Sequence, residues 1–423
     1  MKKNPWGEIA NLLTILLGLD IVGHVTADCE CGYSITTGDD LSTELFTDIL
    51  ESDFVHIDYT RSDNKKKIWA TQVYKTNATA ARSVYGEWFT TSNVEGNTIA
   101  DMDTWTEDGP DRRDAGLELR VGSVVADGMV QNGQVATTTD EEYFHGSYRA
   151  SIKVSAVEGT CTAFFWVRDL ITGGYIRWHH PRQRSHKFGG VDADNIMQYF
   201  NDTQEIDLEF LSREFVAPDL TYPVNLVLQT RQSKAAGYDA TKTGSWIRSN
   251  LSFDPTADFH EYRFDFLSSR VLFYADNSLL ASMNASTGGV PSTSGNLVLS
   301  HWSNGNAGWS GGPPTEDATS VVRYVKAYYN SSSQVRRGDF EARCQDPTRQ
   351  GAVCEVPEGN ATFFFMYKNN TTVNETTYGG SGSGGGDGSE NEGGIGTFEM
   401  RSRPGSNLGF YISLATILWL CGL

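Results

Sequence analysis

Glu205-Ile206-Asp207-Leu208-Glu209-Phe210 alternates without a break between acidic and apolar side chains. Successive side chains of a β-strand face opposite ways, so Glu205, Asp207 and Glu209 share one face and Ile206, Leu208 and Phe210 the other. The apolar face is suited to a core. Three carboxylates in a row repel one another and do nothing for a fold. They can serve chemistry, because crowding pushes their pKa values apart, leaving one protonated as an acid and another ionised as a nucleophile. That is the equipment of a retaining glycosidase. The string alone is a weak signal, since most such strings are solvated strand faces, and its surroundings decide.

Outward from it, the chain keeps to short period-two runs. Gly116-Leu117-Glu118-Leu119-Arg120-Val121 and Asn132-Gly133-Gln134-Val135 come first. Tyr143 to Val154 and Thr162-Ala163-Phe164-Phe165-Trp166 lead up to the acidic strand. Val224 to Gln229, Phe259 to Phe266, Val271 to Asp276 and Leu297 to Trp302 follow it. Gly, Asn, Asp, Ser and Pro clusters separate the runs, long amphipathic helices are absent, and no internal repeat is visible. The reading is an all-β sandwich, with chain enough for one large core.

In this order the blocks resemble glycoside hydrolase family 16, the β-jelly-roll β-glucanases and transglycosidases, over about residues 30 to 335. The likeness is greatest to the fungal cell-surface branch. The resemblance implies a concanavalin A-like jelly roll of two antiparallel sheets with a concave substrate cleft. It assigns Glu205 as nucleophile and Glu209 as general acid/base, with Asp207 between them setting the two pKa values. Spacing alone does not fix that order. At the rise of a strand, the Glu205 and Glu209 Cα atoms stand roughly 13 Å apart. Twist and inward lean would have to bring the carboxyls to about 5 Å, the retaining separation.

Sugar rings stack on flat aromatic faces, and polar side chains take the hydroxyls. His301-Trp302-Ser303-Asn304-Gly305-Asn306 and the segment from Trp309 to Pro314 look like such a cleft wall. The expected substrate-binding residues are therefore Trp166, Gln229, Trp302, Asn304, Asn306 and Trp309. Core packing is the competing role for Trp302 and Trp166. His260, on one face with Tyr262, Phe264 and Phe266, reads as a satisfied core histidine.

The two ends read as processing signals. Lys2 and Lys3 precede an apolar run from Ile9 to Val22, and Val25-Thr26-Ala27 offers a cleavage site, so residues 1–27 read as a signal peptide. A buried helix is the alternative. Residues 28–360 are expected to form the catalytic domain, and 361–396 an Asn/Thr-rich and then Gly/Ser-rich linker. Residues 397–423 combine a polar spacer with the apolar tail Leu408 to Leu423, the pattern of a GPI-attachment signal, with Gly394 as candidate site. A single-pass anchor competes. Sequons at Asn77, Asn201, Asn250, Asn284, Asn330, Asn360, Asn369, Asn370 and Asn374 agree with secretion. A glycan at Asn201 would crowd the cleft. The expected location is the outer face of the plasma membrane or the cell wall, with the membrane reached through the anchor.

Six cysteines become five when Cys421 leaves with the tail. Cys29 and Cys31 are too close in sequence to pair with each other. They are expected to pair with Cys344 and Cys354, leaving Cys161 a buried free thiol. A net charge of −19 argues against nucleic acid and polyanionic partners. No metal-ligand pattern stands out and no cofactor is expected, although the family resemblance allows a structural calcium ion. The chain is expected to act as a monomer.

Residues 167–198 break the pattern. Arg168, Arg177, His179, His180, Arg182, Arg184, His186 and Lys187 crowd into an otherwise acidic protein, with little strand periodicity. A structureless insertion of this length inside a sheet is suspect. Val167-Arg168 is encodable as a 5′ splice start and Gln198 as a 3′ splice end, so the segment reads as a retained intron. A surface loop at the cleft mouth is the alternative.

The leading function is a retaining hydrolase of cell-wall β-glucan, β-1,3 or mixed β-1,3/1,4 in linkage on the resemblance alone. A transglycosidase cross-linking wall glucan and chitin is the runner-up. A catalytically inactive carbohydrate-binding protein is the rival from another class, and the three carboxylates argue against it. A structural wall mannoprotein is favoured only by the stalk and the glycans.

Overall fold

The alternation at 205–210 lies within a strand, Phe200–Leu211. Ile206, Leu208 and Phe210 are wholly buried, and the Phe210 ring packs on Tyr262 at 4.5 Å. The computed structural model describes residues 29–38, 42–60, 68–105, 114–137, 142–169, 200–215, 221–284 and 289–368. The expected signal peptide, the linker beyond 368, the anchor signal with Gly394, and Asn369, Asn370 and Asn374 lie outside the described residues. So does 170–199, nearly all of the suspected intron, and so does the side chain of Asn201.

Two sheets stack face to face. The first runs, from edge to edge, Trp246–Leu251, Tyr222–Thr230, Phe200–Leu211, Cys161–Asp169, Asn296–Trp302, Met129–Thr137, Gly86–Phe89 and Tyr74–Thr76. Its pairs are antiparallel except Met129–Thr137 with Gly86–Phe89. The second runs Ser278–Asn284, Arg270–Ala275, His260–Phe266, Tyr143–Lys153, Ala318–Ser331, Gly116–Val121 and Val94–Asn97. Asp48–Asp53 also pairs with Ala318–Ser331.

Between the sheets lies one main apolar core. Phe164, Trp166, Leu208, Leu226 and Leu299 of the first sheet meet Tyr148, Ile152, Phe264, Phe273 and Val325 of the second. Each large side chain removed from water contributes about 1.5–3 kcal/mol, which makes this interface the main source of stability. The all-β sandwich read from the sequence is the observed class.

A short three-stranded sheet joins the two ends of the domain. Tyr33–Thr37 pairs with Ser42–Phe46 on one side and, in parallel, with Cys354–Glu355 on the other. Disulfides Cys29–Cys354 and Cys31–Cys344 fasten it, and Cys161 is a buried free thiol.

The folded chain runs further than the boundary expected at 360. Phe364, Phe365 and Met366 are buried, and the Phe365 and Met366 N–H groups donate to the Glu51 carboxyl at 3.0 and 2.9 Å. Glu358 also bridges two buried cations, Arg149 at 2.9 Å and Arg263 at 3.1 Å. The reason is that the outer face of the second sheet carries charges and aromatic rings that need covering, and this segment covers them. Asn77, Asn250, Asn284 and Asn360 are exposed. Asn330 is half-buried, its Oδ1 accepting from the Thr47 N–H at 3.0 Å.

Candidate active site

Strand register places the acidic face. Glu209 stands opposite Ala163, which stands opposite Ser300, which stands opposite Gln134. Asp207 stands opposite Phe165, and Glu205 between Val167 and Gln229. Register is continuous from Glu205 to Glu209 on both sides, and the one shift nearby falls between Val167 and Arg168. The carboxylates therefore keep strict strand spacing, with no bulge to re-aim one of them. Ala163 and Ser300 are small, which leaves open space beside Glu209. Together these residues floor a cleft of about 720 Å³.

The three carboxyls have different surroundings. Glu209 accepts from the Trp309 indole N–H at 3.1 Å and from the Cys161 thiol at 3.5 Å, one donor to each oxygen. Burial pushes its pKa up to about 7, against the smaller opposing pull of those two donors. Asp207 is pushed well above the usual carboxylate range, first by burial and then by the negative charges of Glu205 and Glu209. Its hydrogen bond with Glu205 adds to that rise. The rise favours the protonated, hydrogen-bond-donating form of Asp207, while Glu209, at about 7, is a carboxyl that can give and retake a proton near neutral pH.

Trp309 reaches Glu209 because its loop is tied down on several sides. Its N–H donates to the Asn306 carbonyl at 2.9 Å, and Arg213 donates to the carbonyls of Gly308, at 2.8 Å, and Trp309. The loop then passes so close to another turn that a Cβ on Gly312 would stand 2.3 Å from the Gly159 carbonyl oxygen. Gly312 also has φ +82°, a region that suits glycine.

The expected sugar-binding residues separate on inspection. Trp302, Trp309, Asn306 and Gln229 line the cleft, and Trp302, Trp309 and Phe165 all pack against the buried cluster of Cys161, Ala163 and Leu211. Gln229 is braced by the Ser233 hydroxyl, which donates to its Oε1 at 2.7 Å. Asn304 lines the cleft but is taken up by the protein. It donates to Glu87 at 2.8 Å and accepts from Ser83 at 2.9 Å and from the Asn306 N–H at 3.1 Å. Its role is to hold the wall rather than a sugar.

Trp166 is a correction. It is wholly buried in the main core, its indole N–H donating to the Tyr143 carbonyl at 3.3 Å. Alternation requires this, since Phe165 opposite Asp207 faces the cleft and its neighbour must face away. His301 likewise turns inward, bonded to the Leu119 carbonyl at 2.9 Å, with burial lowering its pKa to about 4. His260 is not a core residue. It is half-buried at its strand's start, stacked on Phe253 at 3.6 Å and paired with Asp276 at 2.6 Å.

The sequence reading missed Tyr74, Glu87, Phe89, Gln134, Phe165, Tyr238 and Trp246, all cleft-lining. Tyr74 and Phe89 stack at 4.6 Å. Phe165 was recoverable from alternation with Phe164 and Trp166. Tyr74 and Trp246 sit on edge strands, Tyr238 in a loop, and Glu87, Phe89 and Gln134 on inner strands, and the place of each beside the carboxylates depends on long-range pairing. Among the described residues, no group of three or more His, Cys, Asp or Glu side chains is arranged to hold a metal ion.

Residues 182–326 match the model of Glycosyl hydrolases family 16. Over 199 residues the chain is 27% identical to the probable xyloglucan endotransglucosylase/hydrolase protein 27 of Arabidopsis thaliana, a match spanning 46% of this chain and 46% of that protein. The match thus spans about half the length of that relative. Among solved structures the chain is similar to a prokaryotic β-1,3-1,4-glucanase (lichenase) derived from a mouse hindgut metagenome. There the identity is 14% and the TM-score 0.43, covering 66% of this chain and 98% of that one. It is also similar to the catalytic domain of an endo-1,3-β-glucanase (laminarinase) from Thermotoga petrophila. That likeness has 15% identity and a TM-score of 0.43, over 67% and 97% of the two chains.

Proposed function

We propose that the chain, whose residues 182–326 match the model of Glycosyl hydrolases family 16, is a retaining β-glucan hydrolase working by double displacement. The observation that supports this most is the state of Glu209. It is a half-buried carboxyl on the cleft floor, raised to about 7, on the same strand face as Glu205. A group in that state can protonate a leaving oxygen near neutral pH and later act as a base.

In the first step Glu209 gives its proton to the glycosidic oxygen. The bond from that oxygen to the anomeric carbon breaks as Glu205 attacks the carbon, leaving a glycosyl ester on Glu205. In the second step Glu209, now ionised, takes a proton from an incoming hydroxyl whose oxygen displaces Glu205. Water as acceptor gives hydrolysis, and a sugar hydroxyl gives transglycosylation. Asp207, in the protonated form that its surroundings favour, donates to Glu205 and steadies the charge that returns to it when the ester is broken. The substrate reading is β-1,3- or mixed β-1,3/1,4-glucan of a cell wall. The name of the Arabidopsis relative favours transglycosylation as the second reading.

Secretion to the cell surface, with a GPI anchor and N-glycans, belongs to the same proposal. It is supported by the signals read at the two ends and by the two disulfides, which form and persist in oxidising compartments.

Mass spectrometry of products from β-1,3- and mixed-linkage oligosaccharides tests the reading, with Glu205→Ala as control. Shorter products alone identify a hydrolase. Products longer than the substrate identify a transglycosidase. Folded protein that turns over neither substrate overturns the proposal and favours a binding protein.

A further inference from the structure

Two walls of the cleft meet above it. The turn 231–243 follows Thr230, and Thr230 stands opposite Gln204, so this turn lies beyond the Glu205 end of the acidic strand. The turn 77–85 lies beyond the other end. Phe89 stands opposite Asn132, one residue before Gly133, which pairs with His301. Trp302, the next residue, is level with Cys161 and Leu211, two residues past Glu209. From Phe89 the strand runs back to Gly86, still further from the carboxylates, before the turn begins.

Despite starting at opposite ends of the floor, the two turns touch. The Arg82 guanidinium lies 3.8 Å from the centre of the Tyr238 ring. Both residues line the cleft that the three carboxylates floor. Each turn is anchored to its own wall. Ser83 donates to the Asn304 carbonyl, and the Tyr85 N–H bonds the same carbonyl at 2.9 Å. On the other side the Tyr238 N–H bonds the Ser233 carbonyl at 2.7 Å. Arg82 and Tyr238 also hold left-handed backbone, at φ 53° and 66°, which non-glycine residues seldom adopt.

We infer that Arg82 and Tyr238 form a clasp across the cleft that selects unbranched glucan chains. The inference rests on the β-glucan reading above. A linear chain lies on the floor beneath the clasp. A chain carrying a sugar branch at the same place needs that space, so it binds only when the clasp is open. Arg82 is exposed, and an exposed cation–π contact is weak, so the clasp opens readily. The discrimination it supplies is therefore modest, about two- to five-fold in affinity.

Calorimetry on the full chain carrying Glu205→Ala, so that no substrate is consumed, tests this. The probes are a linear β-1,3-glucan oligosaccharide and the same chain bearing β-1,6-glucosyl branches. The linear chain is expected to bind more tightly. Arg82→Ala and Tyr238→Ala are each expected to shrink the preference by about two- to five-fold. Arg82→Lys and Tyr238→Phe keep a cation and a ring, and are expected to retain it. An unchanged preference in the alanine variants overturns the clasp while leaving the β-glucan reading intact. No binding of either probe overturns both.

Discussion

The Trp309 indole N–H and the Cys161 thiol hold the two oxygens of Glu209, at 3.1 and 3.5 Å. Both donors favour the ionised carboxylate, while burial, the larger influence, favours the protonated acid. The acid must carry its proton to start the reaction, so kcat/KM is expected to fall as pH rises through about 7. Trp309→Phe removes a donor to the charged form, so this basic limb should move to higher pH. A pH–rate profile of the two proteins decides it. An unmoved limb would assign the titration to another group.

Replacing Glu209 by Gln removes the proton donor and is expected to lower kcat by about 10²–10⁴-fold. Asp207 calls for a different comparison. Its surroundings favour the protonated form, so Asp207→Asn retains a neutral donor toward Glu205, whereas Asp207→Ala removes one. A hydrogen bond to a charged group contributes about 1.5–3 kcal/mol, so the alanine variant should be slower than the asparagine variant by about 10- to 150-fold. Equal rates would show that Asp207 works as an anion or not at all.

Phe165 and Trp166 are neighbours in sequence with opposite duties. Trp166→Ala empties a core position and is expected to cost about 3–5 kcal/mol, read as a lowered urea midpoint. Phe165→Ala opens into the cleft, so it should cost less stability and should raise KM. If Phe165→Ala proved the more destabilising of the two, the assignment of faces would be wrong.

The disulfides Cys29–Cys354 and Cys31–Cys344 close almost the same loop, with sequence separations of 325 and 313. Removing one leaves the unfolded chain closed by the other. Removing both releases the ends, at about 2–5 kcal/mol. Single Cys→Ser variants are therefore expected to show small changes in denaturant midpoint, and the double variant more than their sum. Simple additivity would show that the bridges act independently.

Alternation at 205–210 was enough to set the acidic face and the core face, because side-chain direction in a strand follows from local geometry, and the period-two runs along the chain set the all-β class. The spacing of Cys29 and Cys31 excluded a bridge between them, while which of them takes Cys344 and which Cys354 came only with the fold. Alternation also held the answer for Trp166, since Phe165 and Trp166 cannot both face the cleft. What local pattern could not supply was register and turn placement. Asp207 opposite Phe165 and Ser300 level with Gln134 depend on pairing between segments far apart in sequence. So does the meeting of Arg82 with Tyr238, and so does the cover that Phe364 to Met366 give the second sheet. The charge state of Glu209 lies beyond sequence for the same reason. It is set by burial and by Trp309, one hundred residues away in the chain, and these exist only once the sheets and loops have packed. The sequence determined which residues could do the chemistry, and the tertiary structure decided which of them meet in the cleft and which proton each one holds.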